Sequence, residues 1–380
     1  MKKIILSALI LLILIYFLPL GYELLPQNRE SKVKEHTISH VEKTGDMQEF
    51  FEQTASKDGD SEKNASSDAA DETVDTVSDE TASETPPSEN ASAEPASEED
   101  IHIRVSINGT VQDLPLEQYV AGVTAAEMPA SFPEEALKAQ AIAARTFAQS
   151  KRIAEGDEVH PDADVCDDYT HCAAYLDLDT QAEAQWGSEA EAWRAKIEQA
   201  VQETRGEIVT YQGQPITAVF HAACSEETES AADVWGADVP YLVSVDSTGD
   251  ADCPDYTASV TFGAEEFRQR MLQKYEDINL TGMPDTWFTD FERADSGNVL
   301  RCTVGGVHAK GTTLRSLFGL RSTNFTVSTT ETSITFETTG YGHAVGMSQY
   351  GAKGMAENGA DCAEILTHYY TDTEISKITE

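Results

Sequence analysis

The stretch Leu116–Pro129, LEQYVAGVTAAEMP, with Ala136–Thr146, ALKAQAIAART, close behind it, decides how the rest of the chain is read. Leu116, Tyr119, Val120 and Val123 fall at i, i+3, i+4 and i+7, the spacing of one helical face. Glu127 continues that stripe, seven residues after Val120 and four after Val123, so a helix aims its carboxylate where the apolar face points. A carboxyl group there is desolvated and keeps its proton nearer neutrality, the property a general acid requires. The alternative is that the helix frays at Met128 and Pro129 and Glu127 points to solvent. Ser131-Phe132-Pro133-Glu134 reads as a capping box with proline in the first turn. It opens an alanine-rich helix to about Ile153 that packs through Leu137, Ala141, Ala144 and Ala148. Lys138 and Arg145 project together along another face. Two cations there suit a carboxylate substrate or the orientation of Glu127; the plainer alternative is a solvated face paired with Glu134 and Glu135.

Upstream, Ile101–Val105 alternates, Asn108-Gly109 makes a turn and Val111 follows, so a β-hairpin opens the folded part. Downstream comes His160-x5-Cys166-x4-His171-Cys172. Two imidazoles and two thiolates supply the ligand set of a tetrahedral zinc site. Four protein ligands close the coordination sphere, which makes such a zinc structural and unable to activate water. A Cys166–Cys172 disulfide is the competing reading. Cys224 with Cys253, and Cys302 with Cys362, are further candidate pairs.

A second amphipathic helix spans Glu189 to about Arg205 and stops at Gly206. Ile208–Tyr211 and Ile216–Phe220 then form a hairpin around Gly213 that delivers His221 to a strand end. Phe291–Leu317 reads as further short strands. Thr332–Thr338 alternates as a strand and runs into GYGHAVGMSQ, residues 340–349. Its glycines permit positive φ and close ligand approach, Ser348 can cap the next helix with Gln349 in its first turn, and the lysine of a phosphate-binding P-loop is missing. The expected class is α+β, helices mixed with short antiparallel strands around a cleft.

Of 380 residues, 26 are basic and 67 acidic, a formal charge of −41. That excludes a nucleic-acid binder of the usual basic kind. Part of the excess sits between Gly45 and Asp100, with 18 acidic residues against two lysines, too polar a segment to offset its ordering entropy. Residues 22–100 are therefore expected to be an acidic, disordered linker. Ahead of it, Met1-Lys2-Lys3 precedes an apolar run from Ile4 to Leu20 broken only by Ser7. Seventeen residues reach ~26 Å of the ~30 Å hydrocarbon core, and no small-x-small cleavage site follows. Residues 1–21 read as an uncleaved membrane anchor with the lysines inside. That makes the chain a single-pass membrane protein whose folded part, 101–380, lies outside the cytoplasm.

Three segments together, Leu116–Pro129 with Ala136–Thr146, Thr228-Glu229 through Asp233-Val-Trp-Gly236, and Gly342–Gln349 with Gly351, resemble the stage II sporulation protein D family of lytic transglycosylases, including its amidase-enhancer type. The match runs from Val111 to about Tyr370. The resemblance implies that Glu127 is the catalytic acid and that Lys138 and Arg145 occupy positions that matter for activity. It further implies a structural zinc on His160, Cys166, His171 and Cys172. The implied substrate is denuded peptidoglycan, and the implied partners are the amidase stage II sporulation protein P and a membrane scaffold. The expected activity is cleavage of the β-1,4 bond between N-acetylmuramic acid and N-acetylglucosamine during engulfment, in the space between mother cell and forespore. The competing function is a non-catalytic glycan-binding module that activates an amidase; a zinc hydrolase is disfavoured by the closed ligand set. His343, Ser348 and Gln349 are expected to line the glycan groove; the plainer alternative for His343 is a packing histidine in a tight turn. Two departures stand out: Ala344 takes the place of the usual glycine between His343 and Val345, and Ser225-Glu226 stand where small glycine-rich residues are common.

Overall fold

The computed structural model describes residues 101–154 and 159–379; the expected anchor, 1–21, and linker, 22–100, lie outside them. Among the described residues no helix is long and apolar enough to cross a membrane.

The opening hairpin is present: β1 (His102–Ile107) pairs antiparallel with β2 (Thr110–Pro115). Asn108 and Gly109 between them sit at φ 50° and 76°, the two positive-φ positions that a tight type I′ turn demands. The chain passes from Pro115 straight into α1 (Leu116–Glu127), where Leu116, Tyr119, Val120 and Val123 are all buried. That helix ends at Glu127 because Met128, which precedes Pro129, is extended at φ −125°; a residue before proline avoids the helical region.

α2 (Glu134–Ala154) is buried on nearly every side from Ala136 to Lys151, as a helix at the centre of a core must be. Its alanines let neighbours come close. Next in the chain are β3 (Val165–Cys166), which extends the first sheet parallel to β1, and then α3 (Ala182–Trp186) and α4 (Ala190–Glu203). β4 (Glu207–Tyr211) turns back through Gln212 and Gly213 onto β5 (Gln214–Pro215). Here the expected hairpin is corrected. After the turn the strand paired with β4 is only Gln214 and Pro215, whereas β6 (Phe220–His221) pairs in parallel with Met347–Ser348 from the far end of the chain. α5 (Ala231–Trp235) is a short helix capped by Ser230 and ended by Gly236 at φ 79°.

Residues 257–339 build a second lobe with its own aromatic core of Phe262, Phe267, Trp287, Phe318, Phe325 and Phe336. In order it contains β7 (Thr257–Gly263), α6 (Ala264–Lys274), β8 (Phe288–Arg293), β9 (Val299–Val304), β10 (Val307–Lys310), α7 (Gly311–Phe318), β11 (Phe325–Thr329) and β12 (Ser333–Thr339). The sheets run β10-β9-β8 and β11-β12-β7, both antiparallel. Within the stretch expected to be strands, Gly311–Phe318 is helical. The chain then returns to the main core through β13 (Met347–Ser348), α8 (Gln349–Glu357), α9 (Cys362–Tyr369) and β14 (Glu374–Lys377), the last pairing with β4. α2 is the hub, packed against α1, α4, α8, α9 and β4. All six cysteines are unbonded. Cys302 lies in the second core and Cys362 packs against the main one, which separates one expected pair.

Candidate functional site

Glu127 is fully buried at the last position of α1. The helix therefore does stop where the sequence suggested, yet its carboxylate does not turn to solvent. Its Oε1 accepts a 2.8 Å hydrogen bond from the Ala174 backbone N–H. Ala174 is held in place from both sides. Two residues before it is Cys172, and two after it the Leu176 N–H donates to the Gly122 carbonyl of α1 at 3.1 Å. Tyr175 between them stacks on Tyr119, ring centroids 5.9 Å apart. A Cβ on Gly122 would sit 2.2 Å from the Tyr175 ring and 2.8 Å from the Leu176 carbonyl, so only glycine lets this segment lie against α1.

The same segment carries the four expected metal ligands. His160, Cys166, His171 and Cys172 are buried, and their ligand atoms lie within 4.8 Å of one another. His160 Nδ1 donates to the Ala163 carbonyl at 3.1 Å, which can only accept, so Nε2 presents its lone pair to Cys172 Sγ at 3.3 Å. A carbonyl that orients a ligating imidazole is the usual support of a zinc ligand. His171 Nδ1 is 3.2 Å from Cys172 Sγ and 3.5 Å from Cys166 Sγ. The Cys166 thiol is lowered, first by its hydrogen bond with Cys172 and then by the two imidazoles. The donor set and its spacing fit a tetrahedral zinc.

The two expected substrate cations are corrected. Arg145 is fully buried and its fork grips Glu117, Nε–Oε1 2.9 Å and an NH2–Oε2 contact of 2.5 Å. It also donates to the Glu207 and Val201 carbonyls. This is a brace between α1, α4 and β4, made possible because guanidinium matches carboxylate and carbonyls at once. Lys138 pairs with Glu203 at 2.6 Å, Glu134 at 2.9 Å and Glu135 at 3.1 Å. Its pKa is raised chiefly by Glu203. Lys138 thus has the partners Glu134 and Glu135 of the plainer alternative, with Glu203 added, and only 15% of its side chain is exposed.

The glycine loop is likewise more structural than expected. Ser348 caps α8 through the Gly351 N–H, as the sequence indicated, but it is fully buried and donates to Asp250 at 2.5 Å. Asp250 also accepts from Ser247 and from the Cys224 N–H, and burial raises its pKa. Gln349, buried, donates to Gln140 of α2 at 3.3 Å and so fastens the loop to the helix after Glu127. His343 is packed between Trp235 and His221, with centroids 5.3 and 5.6 Å away, and its Nδ1 accepts from the Val345 N–H. Ala344 occupies the left-handed region at φ 65°, which explains why a glycine suits that position.

One residue of note had no role from the sequence. Glu229 is buried, its N–H donates to the Ala344 carbonyl at 2.7 Å, and its Oε1 accepts from Ser296 and from Asn298 at 2.6 Å. Burial raises its pKa. Both side-chain partners belong to the second lobe, so the carboxylate ties the lobes together. The sequence carried it only as a member of the resembling segment Thr228-Glu229 through Asp233-Val-Trp-Gly236.

A family model described as "Stage II sporulation protein" matches residues 106–211. The chain is similar to stage II sporulation protein D of Bacillus subtilis (strain 168), 38% identical over 77% of this chain and 83% of that protein. It is 39% identical to stage II sporulation protein D of Bacillus amyloliquefaciens, over 71% of this chain and 76% of the relative. It also resembles the amidase enhancer of Bacillus subtilis (strain 168), at 27% identity over 67% of this chain and 40% of that protein. With Glu127, the helix that carries it and the segment that holds it all inside the matched region, the chain belongs to the stage II sporulation protein D family.

Proposed function

We propose that the chain is a sporulation lytic transglycosylase, cleaving the β-1,4 bond between N-acetylmuramic acid and N-acetylglucosamine in denuded glycan strands during engulfment. The observation that carries this is Glu127, a buried carboxylate at a helix end with one oxygen anchored by the Ala174 N–H. An N–H aimed at Oε1 disfavours a proton there, so the transferable proton belongs on Oε2. Ordinary glycosidases need a second carboxylate as nucleophile or base. A muramic residue supplies its own nucleophile, because its C6 hydroxyl is tethered to the ring it attacks and has a high effective molarity. Glu127 then acts twice: it protonates the departing glycosidic oxygen and afterwards takes the proton of the C6 hydroxyl as that oxygen bonds to the anomeric carbon. The products are a free N-acetylglucosamine end and a 1,6-anhydromuramic end.

In this reading His160, Cys166, His171 and Cys172 hold a structural zinc. Bound there, zinc supplies rigidity with no open coordination position. The chain's own contribution is to present the Ala174 N–H to Glu127. The apolar run Ile4–Leu20 would anchor the protein in the membrane, with its folded part beside a wall amidase such as stage II sporulation protein P. A second reading, an amidase-activating module without its own chemistry, is favoured by the similarity to the amidase enhancer. Mass analysis of soluble products from purified, denuded wall separates the two. Release of anhydromuramic ends is expected, and Glu127→Gln should cut it at least ~10²-fold while leaving the fold intact. Retention of wall without new ends would sink the enzyme reading, and wild-type rates in Glu127→Gln would sink the assignment of the acid.

A further inference from the structure

Thr124 is fully buried on α1, one helical turn before Glu127, and its Oγ1 has no hydrogen-bond partner. A threonine in a helix usually turns its hydroxyl back onto a carbonyl three or four residues earlier. Thr146, Thr204 and Thr367 do so here, donating to the carbonyls of Ile142 at 2.6 Å, Ala200 at 2.9 Å and Ala363 at 2.8 Å. Thr124 does not. A buried hydroxyl without a partner weakens a fold, and valine, with the same shape and a similar helix propensity, carries no such cost. Position shows what this hydroxyl can reach. Residues three apart are neighbours on a helix, and side chains lean toward the N-terminus, so the Glu127 carboxyl lies over the turn that bears Thr124. Both ends of that neighbourhood are anchored. The Ala174 N–H holds Glu127 Oε1, and the Met128 N–H occupies the Thr124 carbonyl at 3.0 Å, so only the Thr124 side chain has to turn.

We propose that Thr124 is a positioning residue of the acid, its hydroxyl a donor held in reserve for the Glu127 carboxylate. The inference rests on the glycan reading above and adds to it the group that receives the charge left behind by the proton. While Glu127 is protonated the hydroxyl is idle. As the proton passes to the departing glycosidic oxygen, negative charge develops on the carboxylate and the Thr124 O–H donates to it. A hydrogen bond to an ionised group is roughly twice as strong as one between neutral groups, so this bond favours the half of the cycle in which Glu127 is charged. It is released when Glu127 takes the proton of the C6 hydroxyl. The Ala174 N–H cannot follow that change, being fixed on Oε1 throughout. Thr124 itself neither gains nor loses a proton.

The test compares the full chain with Thr124→Val and Thr124→Ser. In urea Thr124→Val should be at least as stable as the wild type, because it removes an unpaired hydroxyl without changing shape. Its kcat for release of anhydromuramic ends should nevertheless fall about tenfold with KM unchanged, since the bond forms only as the proton leaves. Thr124→Ser should recover most of the rate. Without substrate, the Glu127 carboxyl is followed by infrared titration, its band being the one lost in Glu127→Gln. The midpoint should move to higher pH in Thr124→Val, the sign expected when a donor to the charged form is removed. Tyr119 on α1 and Cys166 and Cys172 on the metal segment, whose charges meet that of Glu127 at Tyr119, are common to both proteins. An unchanged midpoint overturns the proposal, and so does a wild-type rate per folded molecule in Thr124→Val. A wild-type protein that releases no anhydromuramic ends overturns the glycan reading instead, and the titration still decides for Thr124.

Discussion

Arg145 shows why a charged side chain seen in sequence cannot be given a ligand until its neighbours are known. Its partner Glu117 lies 28 residues away, on a helix whose polar positions look solvent-facing when read alone. The pair is asymmetric: Arg145 has no exposed side-chain surface and Glu117 retains 17%. Breaking a buried pair leaves the Glu117 charge uncompensated and removes the bonds to the Glu207 and Val201 carbonyls, so Arg145→Met should lower stability by about 3 kcal/mol. Arg145→Lys keeps the charge without the fork and should fall between. Urea midpoints together with rates per folded molecule test the distinction. A variant of wild-type stability with a raised KM would return Arg145 to the substrate. Ala344 is the opposite case, a residue whose backbone is strained in place. An alanine at φ 65° costs ~1–2 kcal/mol, partly offset here by burial of its methyl group at ~0.8 kcal/mol. Ala344→Gly should therefore be neutral to about 1 kcal/mol stabilising, and a clear drop in melting temperature would show that the methyl contact outweighs the strain.

Among elements, those set by local rules were legible. α1 followed from a 3.6-residue stripe, the opening hairpin from Asn108-Gly109, and the gathering of His160, Cys166, His171 and Cys172 from their spacing, because each depends on residues within a few turns of one another. What stayed hidden were links between distant segments. Ser348 with Asp250, 98 residues apart, turns an apparent substrate group into an internal bond, Asn298 with Glu229, 69 apart, ties the second lobe to the main core, and no periodicity encodes either. The second lobe was hidden for the same reason, since β7 and β12, from opposite ends of residues 257–339, pair with each other in one sheet. The segment from His160 to Leu176 joins both kinds: its two histidines and two cysteines are local, while the Ala174 and Leu176 N–H groups reach across to α1. Removing metal with a chelator should therefore strip hydrogen-exchange protection from the Ala174 and Leu176 amides before α2 is affected. Cys166→Ser should do the same and lower the melting temperature. Purified protein without metal, or unchanged protection at these two amides after chelation, would reject the coupling.

At the scale of the whole molecule the folded part has two cores, and three buried titratable groups make its stability depend on pH. His221 is buried in β6 with Nδ1 donating to the Val345 carbonyl. Burial, reinforced by the charge of Arg315, lowers its pKa to about 3, against ~6.5 in an unfolded chain. Between those values the unfolded state binds a proton that the folded state refuses. The contribution of His221 is therefore complete above about pH 6.5 and is lost as pH falls toward 3. Glu229 and Asp250 work in the other sense. Burial raises both, so each stays protonated in the fold where the unfolded chain has ionised it, and that contribution is lost as pH rises through the folded values. Because the signs oppose, the total profile cannot identify any one group, but a difference can. His221→Phe removes the imidazole titration and leaves both carboxyl groups. Measured by urea unfolding from pH 7 to 4, the wild-type protein should lose up to ~1.4 kcal/mol per pH unit more than the variant over the lower part of the range. Parallel profiles would mean that the imidazole is protonated inside the fold, and the neutral, carbonyl-bound His221 would have to be abandoned.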